Sequence, residues 1–255
     1  MIRILLNGCN GRMGQVVSGM VKDDEGITIA AGVDTTPDKF INDYLVYPTL
    51  NAVNEKTDVI VDFSNPKGLP ILLAYGMENR IPMVICTTGH SPEDKENIKS
   101  ASEKVAILTS ANMSLGVNLL LSLVKQAAKA LEENFDIEII EKHHNQKMDS
   151  PSGTALAIAD SINSALKEKK EYVYGRHSKT GKRTFQELGI HAIRGGNIVG
   201  DHSVIFAGAG EVIEINHSAL SRDVFAVGAI RAVKFLYDKD PGLYNMSDVV
   251  SNATA

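Results

Sequence analysis

Two histidines and a lysine lie within five residues of one another, directly before a predicted helix start. They are His143, His144 and Lys147, in the segment EKHHNQKMDSPSGT at residues 141–154. An imidazole donates or accepts a proton near neutral pH, and an ammonium supplies a positive charge or a proton. The Ser-Gly-Thr at residues 152–154 opens a helix, whose free N–H groups suit a carboxylate. The segment predicts acid–base chemistry on a small anionic substrate.

Metal binding and a purely structural role are the alternatives for the same residues. Adjacent His143 and His144 point in different directions, and Asp149 alone does not complete a ligand set. A lone histidine is usually structural, but here two histidines, a lysine and a helix start converge. We therefore expect a reactive site and no metal.

A glycine-rich turn follows the first predicted strand. Gly8, Gly11 and Gly14 have the spacing G-x-x-G-x-x-G rather than G-x-G-x-x-G, and Asp34 follows Gly14 by 20 residues. Glycines permit a tight turn close to a pyrophosphate, and an acid after the second strand accepts from a ribose 2′-OH. The pattern predicts a dinucleotide site; the alternative is a glycine-rich turn with an incidental acid.

The residues after Asp34 bear on the choice of coenzyme. Thr35, Thr36 and Pro37 follow it, and Lys39 is the nearest cation. Because no arginine stands there to bind a 2′-phosphate, we predict that NADH is preferred over NADPH, with both tolerated.

Short apolar strands and helices alternate through the first half of the chain. Strands are predicted at residues 2–6, 27–33, 59–63, 83–86 and 105–109, and helices at residues 11–21, at residues 66–79 and after Ser91. Strict alternation indicates a parallel sheet covered on both faces. The loops at residues 86–89 and 110–113 follow two of these strands, so they should line the same crevice near the nicotinamide.

The pattern changes in the second half. Helices are predicted at residues 116–133, 154–167 and 221–237, and strands at residues 136–140, 191–194, 198–206 and 211–216. Residues 167–171 read as a solvated helix end and the basic stretch 176–183 as a mobile surface loop. The predicted class is α/β: a Rossmann-like, doubly wound parallel sheet, then a second α+β domain with a mixed or antiparallel sheet. The first domain would span residues 1–114, with 222–255 packing back on it, and the substrate-binding and oligomerisation domain residues 115–221.

Composition excludes several classes of protein. The chain has 255 residues and a net charge of −5, which argues against a nucleic-acid partner. Two cysteines, Cys9 and Cys86, do not build a disulfide framework or a metal site. The N-terminus lacks the pattern of a signal peptide, and no apolar run is long enough to span a membrane. We expect a cytoplasmic protein without a membrane partner.

Motifs along nearly the whole chain resemble those of the dihydrodipicolinate reductases (4-hydroxy-tetrahydrodipicolinate reductases) of lysine and diaminopimelate biosynthesis. They are GCNGRMG at residues 8–14, VDFS at 61–64, TTG at 87–89, ANMSLGVN at 111–118, residues 141–154, and RGGNIVGDH at 194–202. The string E-x-H-H-x-x-K-x-D-x-P-S-G-T is highly specific. The resemblance implies reduction of a cyclic unsaturated dicarboxylate to tetrahydrodipicolinate with NADH or NADPH, in a homotetramer assembled through the second sheet.

The resemblance also implies roles for particular residues. His143 and Lys147 would transfer protons, and His144, Gly153 and Thr154 would contact the dicarboxylate. The coenzyme contacts would be Gly8, Cys9, Asn10, Gly11, Arg12, Met13, Asp34, Cys86, Thr87, Thr88, Ser110, Ala111, Asn112 and Met113. This chain departs from the family at Cys86, where many relatives have glycine, at Met113, where an aromatic is common, and at Thr35, where NADPH-dependent members carry a basic residue.

Two other functions fit parts of the pattern. A different NAD-dependent amino-acid or imine dehydrogenase would share the glycine turn but has no need of the Ser-Gly-Thr carboxylate seat after His-His-x-x-Lys. A non-catalytic NAD sensor needs no proton donor, so it would tolerate substitution of His143 and Lys147.

Overall fold

The computed structural model describes residues 1–177 and 181–252. The chain divides into two compact units: residues 1–115 with the segment from Asp223 onward, and residues 116–222. The functions predicted for the two parts of the chain stay predictions. Among the described residues, no helix has the length and apolar character needed to cross a membrane.

Twelve strands and seven α-helices form within the described residues. The strands are β1 (Ile2–Asn7), β2 (Ile27–Val33), β3 (Val46–Tyr47), β4 (Val59–Asp62), β5 (Met83–Ile85), β6 (Ala106–Thr109), β7 (Asp136–His143), β8 (Glu171–Tyr174), β9 (Glu187–Arg194), β10 (Gly200–Ala207), β11 (Val212–Ala219) and β12 (Gly242–Tyr244). The helices are α1 (Arg12–Val21), α2 (Leu69–Asn79), α3 (Pro92–Ser102), α4 (Leu115–Leu131), α5 (Gly153–Asn163), α6 (Asp223–Leu236) and α7 (Met246–Asn252).

The first unit is built on a seven-stranded parallel sheet. Its strand order is β12-β6-β5-β4-β1-β2-β3, and each pair of neighbours runs parallel. Val17 of α1 and Ala229 of α6 belong to the core on one face, while Leu72 of α2 and Ile98 of α3 belong to the core on the other. The sheet is therefore doubly wound and Rossmann-like, as predicted. Its strand order reverses between β1 and β4, where such folds form a crevice beyond the carboxyl ends of the strands.

The second unit is built on a five-stranded mixed sheet. Its order is β11-β10-β7-β9-β8; β10 is antiparallel to β11 and β7, whereas β9 is parallel to β7 and β8. Buried side chains alternate with partly exposed ones along β7 and β10, and α4 and α5 contribute Val124 and Ile158 to the core on the buried side. The predicted mixed sheet is confirmed, with one face covered by helices.

The boundaries differ from the sequence prediction in the second unit. Strand β7 continues to His143 rather than ending at Ile140, because it pairs with β9 as far as His143 and Arg194. Helix α5 ends at Asn163 rather than Lys167, since the Asn163 amide exchanges two 2.9 Å hydrogen bonds with the backbone of Lys170.

The stretch after α5 also differs from the prediction. Glu171, assigned to a solvated helix end, begins β8 instead. Of the basic stretch, residues 178–180 lie outside the described residues. Arg176 and Arg183, near its two ends, both donate to Glu138.

Candidate active site

The glycine turn after β1 is shaped by close backbone approaches. Gly8 has φ +80°, and a Cβ there would lie 2.6 Å from the Phe63 carbonyl oxygen; a Cβ at Gly14 would lie 2.3 Å from the Gly8 carbonyl oxygen. Side chains would therefore collide with backbone at both positions. Gly11 caps α1 without a side chain, so the first N–H groups of α1 meet no capping side chain and suit an anion.

Asp34 lies just beyond β2, as the sequence predicts, and its carboxylate is held in place. Asp34 Oδ2 accepts from the Asn10 backbone N–H at 3.1 Å, and Oδ1 accepts from the Thr36 N–H at 3.0 Å and its hydroxyl at 2.9 Å. The buried Asn10 side chain donates to the carbonyls of Thr36 and Pro37. Asn10 therefore joins the glycine turn to the loop after β2.

A cavity of about 540 Å³ lies at this crevice. Gly8, Gly11, Asp34 and Thr35 line it, together with Lys67, which the motif analysis missed. Lys67 lies in the short 3₁₀ turn after β4 (Pro66–Gly68). A cation at the rim of a predicted dinucleotide cavity is suited to a phosphate.

The other predicted coenzyme residues of the turn, Cys9, Arg12 and Met13, differ in how far they are buried. Cys9 is fully buried, and burial, followed by the Asp34 charge, raises the pKa of its thiol to about 11. Its side chain is therefore part of the buried core. Arg12 is exposed at the start of α1, and Met13 packs against the core from a partly buried position.

Asp62, at the end of β4, connects three neighbouring strand ends. Asn7 Nδ2 and Ser64 Oγ donate to its Oδ1 at 2.7 and 2.6 Å, and Thr87 Oγ1 donates to its Oδ2 at 2.6 Å. Asp62 is 2% exposed. It was not assigned a role from the sequence, although it stands in the motif at residues 61–64. It fixes the rim of the crevice from β1 to β5.

The loops after β5 and β6 lie together, but they line a cavity of their own and not the one that Gly8, Gly11 and Asp34 line. Thr87, Thr88, Ser110 and Ala111 line a second cavity of about 530 Å³ in the same unit, together with His90. Cys86, which begins the first of these loops, is buried, and burial raises the pKa of its thiol well above the ordinary value.

The loop after β6 is fixed by internal hydrogen bonds and by α6. Ser110 Oγ donates to the Asn112 carbonyl at 3.0 Å, and the Asn112 side chain accepts from the Ser114 N–H at 2.9 Å. Met113 is buried. A Cβ at Gly228 of α6 would lie 1.7 Å from the Met113 carbonyl oxygen, so glycine is needed there.

In the second unit, His143 belongs to a buried cluster of charged groups. Its Nδ1 lies 2.6 Å from Glu141 Oε2. Both Glu141 oxygens accept from the Arg194 guanidinium at 2.7 Å, and Oε1 also accepts from the Ser152 N–H at 3.0 Å. The Glu141 side chain is 0% exposed and that of His143 is 10% exposed. Burial raises the pKa of Glu141, but the bonds from Arg194, His143 and Ser152 outweigh it, so that pKa is lowered.

His202 of β10 lies beside this cluster and stays neutral. Ser152 Oγ accepts from the Ala155 N–H as the N-cap of α5, and lies 3.1 Å from His202 Nε2. The rings of His143 and His202 meet edge to face at 5.3 Å between centroids. Burial, followed by the proximity of His143, lowers the pKa of His202 to about 4. His202 was not singled out from the sequence, although it ends the motif at residues 194–202.

The remaining predicted site residues lie around the start of α5 and the end of β7. Lys147 Nζ forms an ion pair with Asp149 at 2.9 Å and its side chain is 21% exposed, while the Lys147 N–H bonds the His144 carbonyl across a turn. Gly153 and Thr154 are the first two residues of α5. A Cβ at Gly153 would meet nothing within 4 Å. Among the described residues there is no cluster suited to a metal ion.

The fold and the glycine turn together define a class. A parallel sheet that reverses at β1, a helix N-terminus facing the turn and an acid beyond β2 are the features of a nucleotide-binding Rossmann domain. This arrangement is typical of the coenzyme domain of an oxidoreductase.

The chain belongs to the dihydrodipicolinate reductase family. The family's N-terminal model matches residues 2–113 and its C-terminal model residues 116–250. A 4-hydroxy-tetrahydrodipicolinate reductase of Caldanaerobacter subterraneus subsp. tengcongensis is 54% identical over 250 residues, covering 98% of each chain. One from Clostridium tetani is 51% identical, covering 99% of this chain and 98% of the relative.

A solved structure shares the fold. The dipicolinate-bound dihydrodipicolinate reductase from Paenisporosarcina sp. TG-14 superposes with a TM-score of 0.82 at 24% identity, covering 96% of this chain and 97% of that one.

Proposed function

We propose that the protein reduces 4-hydroxy-tetrahydrodipicolinate to tetrahydrodipicolinate with a nicotinamide coenzyme. The relatives at 54% and 51% identity are named for this reaction and match nearly the whole chain. The observation that carries the proposal is the buried His143, which is bound to Glu141. His143 stands in the segment that leads into α5 and that also contains Lys147. The solved relative was crystallised with dipicolinate, a planar dicarboxylate of the same class.

The chemistry fits these residues. The substrate carries two carboxylates, and Lys147, His144 and the N–H groups at Gly153 and Thr154 supply the complementary donors. When bound, the coenzyme supplies a hydride. The 4-hydroxyl group of the substrate would leave as water, which gives a conjugated ring. Hydride addition would place negative charge on that ring, and Lys147 and His143 would neutralise it by charge and by proton transfer. Such general acid assistance is typically worth about 10²–10⁴ in rate.

The coenzyme residues we propose are the glycine turn from Gly8 to Met13, Asp34, and the loops after β5 and β6. Asp34, held by the Asn10 and Thr36 N–H groups, is oriented to accept from a ribose 2′-OH, and Thr35 offers no positive charge to a 2′-phosphate. Lys39 already donates to the Asn10 carbonyl at 3.3 Å. These contacts support a preference for NADH. Comparing kcat/KM for the two coenzymes tests it; a tenfold preference for NADPH would refute it.

The direct test is a coupled assay. Enzymatically made substrate is supplied and NADH absorbance is followed. A monocarboxylic cyclic imine is assayed in the same way, and simple amino acids are assayed with NAD+ for the appearance of NADH. Turnover confined to the cyclic dicarboxylate supports the proposal. Turnover of the imine or of the amino acids, with none of the dicarboxylate, would assign the protein to another dehydrogenase class.

Substitution of Lys147 tests the proton-transfer segment. Lys147→Ala should lower kcat by about 10²-fold or more, because one acid and one positive charge are lost, while NADH binding, measured by fluorescence, is kept. Lys167→Ala is the matched control, since Lys167 is also ion-paired, to Glu133 at 3.5 Å, but is 80% exposed at its side chain. Equal turnover in the two variants contradicts the assignment.

The resemblance further predicts a homotetramer assembled through the second sheet and a cytoplasmic location. Both stay predictions. Light scattering coupled to size-exclusion chromatography counts the chains per particle.

A further inference from the structure

We propose that Glu141 and Arg194 are positioning residues for His143: they hold its ring with Nδ1 toward Glu141, so that Nε2 is the atom that exchanges the proton. This inference rests on the proposed function, because it assigns His143 a proton to transfer. The residues lie on neighbouring strands, at the ends of β7 and β9, where His143 is in register with Arg194.

The first step is the state of the Glu141 carboxyl. It is fully buried and accepts hydrogen bonds from three different groups: a guanidinium fork, an imidazole and a backbone N–H. A buried carboxylate with this many donors is held in its ionised form. An ionised carboxylate only accepts, so Nδ1 of His143 must carry the hydrogen of the 2.6 Å bond.

The second step concerns the other ring nitrogen. With Nδ1 protonated, neutral His143 has its lone pair on Nε2, and the protonated ring gives up its proton from Nε2. Gly200 lies beside that atom: a Cβ on residue 200 would lie 3.0 Å from Nε2. Glycine at this position leaves room at the reactive nitrogen that any other residue would reduce.

The third step is the role of Arg194. Its two terminal nitrogens bind the two Glu141 oxygens at 2.7 Å each, and Nη2 also donates to the Asp149 carbonyl at 2.7 Å. A bidentate fork fixes the plane of the carboxylate. Arg194 therefore fixes the orientation of Glu141, the partner of His143. It also links Glu141 to the backbone of Asp149, two residues beyond Lys147.

His202 does not compete for the proton. Its ring lies against that of His143, and with its low pKa it is uncharged near neutral pH. The positive charge near Glu141 is then carried by Arg194 and, when protonated, by His143.

The test reads the ring of His143 directly. In ¹⁵N spectra of the resting protein near pH 8, the His143 signals, assigned by their loss in His143→Gln, should show a protonated Nδ1 and a bare Nε2. In Glu141→Gln the amide can donate to Nδ1, so the proton should move to Nε2 and kcat should fall about 10-fold or more, with KM changed less than threefold. Arg194→Lys keeps the charge but not the fork, and should give an intermediate loss.

Glu138→Gln is the matched control, because Glu138 on the same strand also binds a histidine, His191, at 2.8 Å. It should leave the His143 signals unchanged. Should Glu141→Gln fail to fold, Arg194→Lys provides the same readouts. An Nε2–H tautomer in the wild type, or unchanged His143 signals and kcat in both variants, overturns the inference. Absence of reductase activity in the wild type refutes the proposed function instead, and the spectra still decide the positioning.

Discussion

Strand β7 carries two clusters of the same three residue types, one on each face of its sheet. On the helix-covered face Glu141 binds His143 and Arg194; on the other face Glu138 binds His191, Arg176 and Arg183. The carboxylate–imidazole distances are close, 2.6 and 2.8 Å. The exposed fractions differ: 0% and 10% for the side chains of Glu141 and His143, against 20% and 30% for Glu138 and His191. The two clusters are therefore alike in residue types and distances and differ in exposure.

The two clusters differ in how far their neighbours bury them and fix their geometry. Glu141 is also bound by the Ser152 N–H at the start of α5, and the His143 ring packs against His202, so the buried cluster has a fixed geometry in a low-dielectric surrounding. In the Glu138 cluster the charges are partly exposed to water, which screens them, so each ion pair contributes little to the free energy of unfolding. The first arrangement is suited to orienting a proton-transfer group, the second to holding the ends of the basic stretch 176–183.

The largest expected difference is in stability. Glu141→Ala leaves the Arg194 fork and the Ser152 N–H without their acceptor, and should lower the free energy of unfolding by roughly 3–5 kcal/mol. Glu138→Ala should lower it by about 1 kcal/mol, since solvent can replace the lost partner. Chemical denaturation at one fixed protein concentration measures both. Equal losses would mean that burial does not distinguish the clusters.

A smaller effect is expected from pH, through His202. Its folded pKa, about 4, lies below the ordinary value of 6.5, so below pH 6.5 the unfolded chain binds the proton more readily. The stability from neutral His202 is therefore present above about pH 6.5 and is lost as pH falls toward 4, on the order of 3 kcal/mol in all. The charged or titratable neighbours that act on it are His143, Glu141, His217 and Asp201.

The measurement is the stability of wild type minus that of His202→Gln as a function of pH. The difference should be constant above pH 7 and should shrink between pH 6.5 and 4. A difference that stays flat across this window shows that His202 is not the group held neutral.

The sequence predicted the first unit well, because local rules determine it. Alternating apolar strands and helices fix a parallel sheet, and Gly8 is needed where a Cβ would meet the Phe63 carbonyl. The family motifs supplied the candidate site residues. The helix predicted after Ser91 begins there, and Ser91 forms a complete capping box with Asp94.

The parts that were missed depend on distant partners. Asp62 joins three strand ends through Asn7, Ser64 and Thr87, which are not adjacent in the chain. The polar end of β7 reads as a loop until β9 and β10 pair with it. His202 is 50 residues from the Ser152 that it contacts, so no local sequence pattern predicts this contact.

We propose that the buried histidine of β7, and not its partly exposed counterpart on β9, transfers a proton during reduction of the cyclic dicarboxylate. Turnover of His143→Ala and His191→Ala, with enzymatically made substrate and NADH absorbance as the readout, distinguishes the two histidines. We expect His143→Ala to lose about 10²-fold or more in kcat and His191→Ala to stay within about threefold of wild type, as expected of a substitution outside the site. Near-wild-type turnover in His143→Ala, or the same loss in both variants, would contradict it.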